Sequence, residues 1–151
     1  MKPLVVGVGN PWRGDDGAGL EVARRVAELA GPDVDVRAHE GDAVRLVDDW
    51  AGARHVTVVD AADSGAPPGT LHHFDARAGP LPARTLRSST HAFGVPDAVE
   101  LARALGRLPE RIDVWAIEGA DYALGATLTP AVADAVEKLA RALTGAEASR
   151  S

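Results

Sequence analysis

"GVGNPWRGDDGAG", residues 7–19, lies between an apolar run and an amphipathic one, and how this turn is read decides the fold. A glycine-rich turn between a strand and a helix commonly cradles a phosphate over the helix N-terminus. A dinucleotide site of that kind wants G-x-G-x-x-G. Gly7 and Gly9 match, but Trp12 stands where the third glycine belongs, and Pro11 removes a backbone donor. Asp15 and Asp16 fall where the anion would sit, and like charges at close range in a partly dry site repel by roughly several kcal/mol. The strand-turn-helix reading stands, and the phosphate cradle does not. The simplest role for the two carboxylates is to complement the helix dipole, each contributing about 0.3–1 kcal/mol.

Working outward, apolar runs alternate with amphipathic ones, the pattern of a parallel sheet wrapped by helices. Residues 4–9 form a strand apolar on both faces, as a central parallel strand is. Residues 16–30 form a helix, with Leu20, Val22, Ala23, Val26, Leu29 and Ala30 at helical spacing and Gly31-Pro32 to stop it. A second strand is expected over 33–40, a helix over 42–51, and a third strand over 55–62. The loop "DSGAPPGT" leads to a short edge strand over 71–76, and 77–90 reads as irregular. A helix over 95–109, a strand over 111–120 and a last helix over 129–145 complete the pattern. The expected fold is a single three-layer α/β domain over residues 1–145, with a central, mostly parallel twisted sheet of about five strands flanked by helices. Residues 146–151 read as a disordered tail.

Bulk properties narrow the function. A chain of 151 residues with 46% hydrophobic and 25% charged residues suits one globular domain with a sizeable core. The net charge of −6 and the scattered arginines argue against a nucleic-acid partner, which wants a basic stripe. No apolar run approaches the roughly 20 residues of a membrane span. The first ten residues read as a buried strand rather than a signal peptide. The absence of cysteine excludes disulfides, thiolate metal sites and a cysteine nucleophile, and fits a cytoplasmic location.

Asp60 lies at the C-terminal end of "VTVVD", within the third expected strand. In an open parallel sheet, ligands bind beyond the carboxyl ends of the strands, at the switch point between halves. If strands one and three are neighbours, Asp16 and Asp60 converge on one crevice; otherwise Asp60 caps the turn that follows it, although Asp63, before Ser64-Gly65, is the more natural turn residue. His39, His55, His72 and His73 sit in or beside strands and read as surface or edge residues rather than ligands. His91, in "SSTHAFGVPD", precedes a helix and can project from a strand-to-helix loop. Two carboxylates and an imidazole form a donor set for a divalent transition metal with open positions.

Four stretches of the chain resemble the hydrogenase maturation protease family, the endopeptidases that trim the C-terminus of the NiFe-hydrogenase large subunit. They are "VVGVGNPWRGDDGAG", "VVDAADSGAPPGTL", "STHAFGVPDAVELARAL" and "WAIEGADYALGATLTPAV". The first is similar to the family signature G-x-G-N-x-x-x-x-D-[DE]-G-x-G, a spacing far more specific than a lone glycine pair. The resemblance implies that Asp16, Asp60 and His91 are the metal-binding and catalytic residues, and that the metal is nickel. It also implies that the nickel is already installed in the large-subunit precursor and marks it as substrate. The turn's glycines would then serve backbone fit around a cation site, and Asn10 would bond backbone within the turn. Two departures matter, the first shortening the ligand arm by one methylene and the second touching substrate contacts more than metal binding. Position 16 is Asp where several members have Glu, and Glu40-Gly41-Asp42 stands where many carry an Asp-Gly or Gly-Gly-Thr turn. Three other readings compete: a nickel-sensing or hydrogenase-docking protein without peptidase activity, an aspartic dyad in which Asp16 and Asp60 share a proton and His91 is idle, and a dinucleotide-binding domain.

Overall fold

The computed structural model, which describes residues 2–40, 42–82, 85–87 and 94–145, contains five strands and four α-helices among those residues. His91 and the expected tail 146–151 lie outside the described residues. The strands are β1 (Leu4–Val8), β2 (Asp35–His39), β3 (His55–Ala62), β4 (Leu71–Asp75) and β5 (Arg111–Glu118). The helices are α1 (Ala18–Ala30), α2 (Ala43–Trp50), α3 (Val95–Ala104) and α4 (Pro130–Thr144). The sheet order is β2-β1-β3-β5-β4. All neighbours run parallel except β4, which is antiparallel to β5 at the edge. The connection 63–70 is too short for the crossover that a parallel return needs, so β4 runs back along the sheet.

Both faces of the sheet are covered, which is why β1 and β3 read as nearly continuous apolar runs. On one face Leu46 and Trp50 of α2 and Val99 of α3 pack on Val6, Val58, Ile112 and Val114. On the other, Val22 and Val26 of α1 and Leu139 of α4 pack on Val5, Val59 and Ile117. Each fully buried side chain of this size contributes about 1.5–3 kcal/mol relative to exposure. The expected three-layer α/β architecture is the observed one. No helix among the described residues is long and apolar enough to cross a membrane.

Two boundaries differ from the sequence pattern. The first helix was expected from Asp16, but Gly14–Gly17 wind as a tighter 3₁₀ turn and α1 begins at Ala18. The cause is Gly14 at φ +53°, beside the Asp121 carbonyl, which turns the chain sharply into the Asp16 N–H to Arg13 carbonyl bond of 3.0 Å. The third helix stops at Ala104 rather than continuing to Pro109. There Gly106, at φ +67°, lets the Arg107 N–H return to the Ala102 carbonyl at 2.8 Å.

The start of α1 lies directly on the backbone of the sheet. A Cβ at Gly19 would stand 2.2 Å from the Val59 carbonyl oxygen and 2.6 Å from that of Val8. Only glycine permits this approach. It sets the 3₁₀ turn, and Asp16 with it, over the carboxyl ends of β1 and β3.

Candidate metal-binding and catalytic site

The turn that carries Asp16 spends the amides of Asn10, Trp12, Arg13 and Asp15 within the protein. Asn10 N–H donates to the Asp16 carbonyl at 3.3 Å, Trp12 N–H to Asn10 Oδ1 at 2.9 Å, and Arg13 N–H to the Asn10 carbonyl at 3.3 Å. Asp15 N–H donates to the Asp121 carbonyl at 2.8 Å. These amides turn to the protein's own acceptors rather than outward to a phosphate.

Asp15 and Asp16, adjacent in sequence, do different work. Asp15 is fully buried and points away from the crevice into the β5–α4 connection. Its Oδ2 accepts the N–H groups of Ala120 (2.8 Å) and Asp121 (3.1 Å) and the Thr129 hydroxyl (2.9 Å), while Oδ1 accepts Thr129 N–H (2.8 Å). Burial raises its pKa, but these bonds to the ionised form outweigh burial and hold it below the ordinary carboxylate value. Asp15 is a structural clasp. The expectation that the two carboxylates complement the helix dipole gives way, for Asp15, to this direct use.

Asp16 is 7% exposed, and its Oδ1 lies 3.4 Å from Nε of Arg87. The same guanidinium stands 3.6 Å from Asp63 Oδ2 and 4.1 Å above the Tyr122 ring. Tyr122 is itself fixed: its hydroxyl donates to the Ala62 carbonyl and accepts Gly119 N–H at 3.2 Å. Burial pushes its phenol up to about 12, so it stays neutral.

Asp60 is fully buried at the end of β3, and its Oδ1 accepts its neighbour's Ala61 N–H at 2.8 Å. β1 and β3 are hydrogen-bonded neighbours with Gly7 opposite Val59. The strand adjacency that the sequence reading required is thus present, and both aspartates belong to the same carboxyl edge of the sheet.

Sequence reasoning missed Glu118, Arg87 and Tyr122. Glu118 is the last residue of β5, as Asp60 lies near the carboxyl end of β3, and an acidic residue at the carboxyl end of a strand was the available signal. It is 1% exposed and accepts the Ser64 hydroxyl at 2.6 Å, Ser64 N–H at 2.8 Å and His72 Nε2 at 3.0 Å. Burial raises its pKa, but the Ser64 and His72 bonds bring it below the ordinary value. Glu118 therefore anchors the loop that leaves Asp60. Tyr122 lies in the last of the four stretches that resemble the family, but nothing in that stretch marks the tyrosine itself, and Arg87 lies just outside the third.

The other histidines are engaged elsewhere. His55 and His73 place Nε2 at 3.1 and 2.8 Å from the two oxygens of Asp113, near the amino end of β5. His39, read as a surface or edge residue, ends edge strand β2 but turns inward, 2.9 Å from Asp49 of α2. Among the described residues no group of three or more His, Asp or Glu side chains is arranged to hold a metal ion. The third expected ligand, His91, lies outside them.

Comparison with known proteins points one way. The hydrogenase maturation protease family model matches residues 40–146, a span that includes Asp60 and His91 but not Asp16. The hydrogenase expression/formation protein HupD of Rhodobacter capsulatus is 32% identical over 141 residues, covering 90% of this chain and 66% of its own length. HoxM of Cupriavidus necator, also a hydrogenase expression/formation protein, is 29% identical over 143 residues, covering 89% and 70%. The chain spans about two thirds of the length of these curated relatives. Among solved structures, the hydrogenase maturating endopeptidase HybD from E. coli superposes with a TM-score of 0.81 at 23% identity, covering 97% of this chain and 91% of that one. The NiFe hydrogenase maturation protease HybD from Thermococcus kodakarensis gives 0.76 at 26% identity, covering 96% and 98%.

Proposed function

Because the chain belongs to the hydrogenase maturation protease family, we propose that it is an endopeptidase that removes the C-terminal extension of a NiFe-hydrogenase large-subunit precursor. Nickel arrives as part of that substrate and serves as the recognition element. Asp16, Asp60 and His91 are the proposed donors that meet it. The proposed setting is the cytoplasm, which suits a chain without cysteine.

The observation that supports this reading is the division of labour between Asp15 and Asp16. With Asp15 committed to four donors of the β5–α4 connection, Asp16 is the carboxylate left to the crevice. Carboxylate oxygens and an imidazole suit a divalent ion of this class. A set without thiolate holds such an ion with modest strength, as fits a metal that leaves with the product. A metal held there supplies Lewis-acid polarisation of the scissile carbonyl or of the attacking water. The chain's own part is to orient: Glu118 and Ser64 fix the loop after Asp60, and the clasp of Asp15 fixes the turn that carries Asp16. An aspartic dyad is a poorer fit, because Arg87 already provides the positive charge that a shared proton would provide beside Asp16.

The test is processing of nickel-loaded precursor by the wild type and by Asp60→Asn, read by mass spectrometry of the product. Asn keeps the oxygen that accepts Ala61 N–H, so the variant should fold with little change in Tm and yield no trimmed product. Normal cleavage by Asp60→Asn would remove Asp60 from the mechanism. Stable binding of precursor by the wild type without cleavage would favour a docking protein.

A further inference from the structure

Trp12 and Leu124 are the most exposed large hydrophobic side chains among the described residues, at 70% and 71%. They occupy two different loops that are tied to each other. The Trp12 carbonyl accepts Gly125 N–H at 2.7 Å, and Trp12 N–H is held by Asn10 Oδ1. The Trp12 loop closes on itself through the Asn10 N–H to Asp16 carbonyl bond. The Leu124 loop is fastened to the same turn by the carboxylate of Asp15, through the amides of Ala120 and Asp121. The backbone is therefore pinned while the side chains project. A flexible loop tip hides or disorders its apolar groups, whereas a braced one that displays them is pre-organised for contact.

From this we infer that Trp12 and Leu124 form the docking ridge for the protein surface of the metal-bearing precursor next to its metal. The inference rests on the function proposed above and names where that substrate is gripped. Continuity argues for this occupant. Trp12 is four residues from Asp16 in one closed turn, so a folded substrate that delivers its metal to Asp16 must cover Trp12 as well. A buried tryptophan at the centre of such a footprint is the residue type that most often dominates interface energy. Because both side chains stand exposed and supply no group to the proposed chemistry, the ridge acts on substrate capture and leaves the chemical step alone.

Steady-state processing of nickel-loaded precursor by the wild type, Trp12→Ala, Trp12→Phe and Leu124→Ser tests this. Trp12→Ala should raise KM by about tenfold or more with kcat nearly unchanged, as loss of an interface anchor does. Leu124→Ser should raise KM by a smaller factor, and Trp12→Phe should restore most of the loss. Tm and the calorimetric affinity for cadmium ion should stay at wild-type values in all three, because the side chains are exposed and bind no metal. Unchanged KM in both Trp12→Ala and Leu124→Ser, with the wild type active, would overturn the docking ridge alone. An inactive wild type that also fails to bind precursor would overturn the functional reading and the ridge with it.

Discussion

Arg87 Nε stands 3.4 Å from Asp16 Oδ1, so the carboxylate proposed to meet the substrate's metal already has a cationic neighbour. The guanidinium rests on the Tyr122 ring and also faces Asp63, which gives it alternative partners when it leaves Asp16. A divalent ion at Asp16 must displace this charge. Arg87→Gln should therefore raise the affinity of the isolated protein for cadmium or zinc by about tenfold, roughly 1.4 kcal/mol. Titration calorimetry of both proteins measures this directly. Weaker ion binding by Arg87→Gln would mean that Arg87 organises the site rather than competing for it.

Asp15→Asn and Asp16→Asn should separate stability from activity. Asp15 receives four hydrogen bonds, three of them from backbone amides. An asparagine there loses the charge and sets an NH₂ group against donors, at a cost of about 2–4 kcal/mol. Tm should fall by roughly 5–15 °C for a domain of this size. Asp16→Asn should cost far less stability and abolish processing. Thermal melts beside a precursor-cleavage assay decide the matter; equal stability losses at the two positions would deny them separate roles.

Stability should fall on acidification. In Asp15, Asp113 and Glu118 burial raises the pKa, but hydrogen bonds to the ionised form outweigh it, and all three lie below their ordinary values. A depressed carboxyl pKa contributes stability above the unfolded value, near pH 4, and loses it as pH falls through the folded value. His39 adds an earlier component. Burial holds its imidazole below the ordinary value, so stability drains as pH falls below about 6.5. Urea midpoints from pH 8 to 3 should decline gently at first and steeply below about pH 4. The steep part should shrink in Asp15→Asn, and a midpoint that rises below pH 4 would reverse the sign argued here.

Gly19→Ala should be among the most damaging single methyl additions in the chain. Its Cβ would meet two carbonyl oxygens of the sheet at 2.2 and 2.6 Å, and backbone cannot swing aside as a side chain can. The start of α1 must lift, and Asp16 moves with it. Gly17→Ala provides the control, because its Cβ would find only ordinary contacts, with Pro11 Cα at 3.5 Å. Gly19→Ala should unfold at least about 3 kcal/mol more easily than Gly17→Ala. Equal stabilities, measured in urea, would show that α1 has room the backbone distances deny.

Much of this was legible before any coordinates. Alternation of apolar and amphipathic runs gave the layers, because a parallel strand buried on both faces must be continuously apolar. The turn's glycines were expected to serve backbone fit, and Gly19 does so against the Val8 and Val59 carbonyls. Asp60 stood out because it lies near the carboxyl end of β3 and ligands gather beyond such ends. What sequence could not separate was Asp15 from Asp16: one residue of chain rotation sends one side chain into the β5–α4 connection and leaves the other to the crevice. Arg87, Tyr122 and the Ser64–Glu118–His72 bonds depend on contacts between segments far apart in the chain, which no local pattern records.

The central claim is that nickel in the precursor licenses cleavage. The measurement is mass spectrometry of nickel-loaded and nickel-free large-subunit precursor after incubation with the purified protein, across pH 5 to 8 and with pepstatin present or absent. Trimming of the loaded precursor only, indifferent to pepstatin, is the expected result. Efficient cleavage of the nickel-free precursor, above all at pH 5, would contradict it.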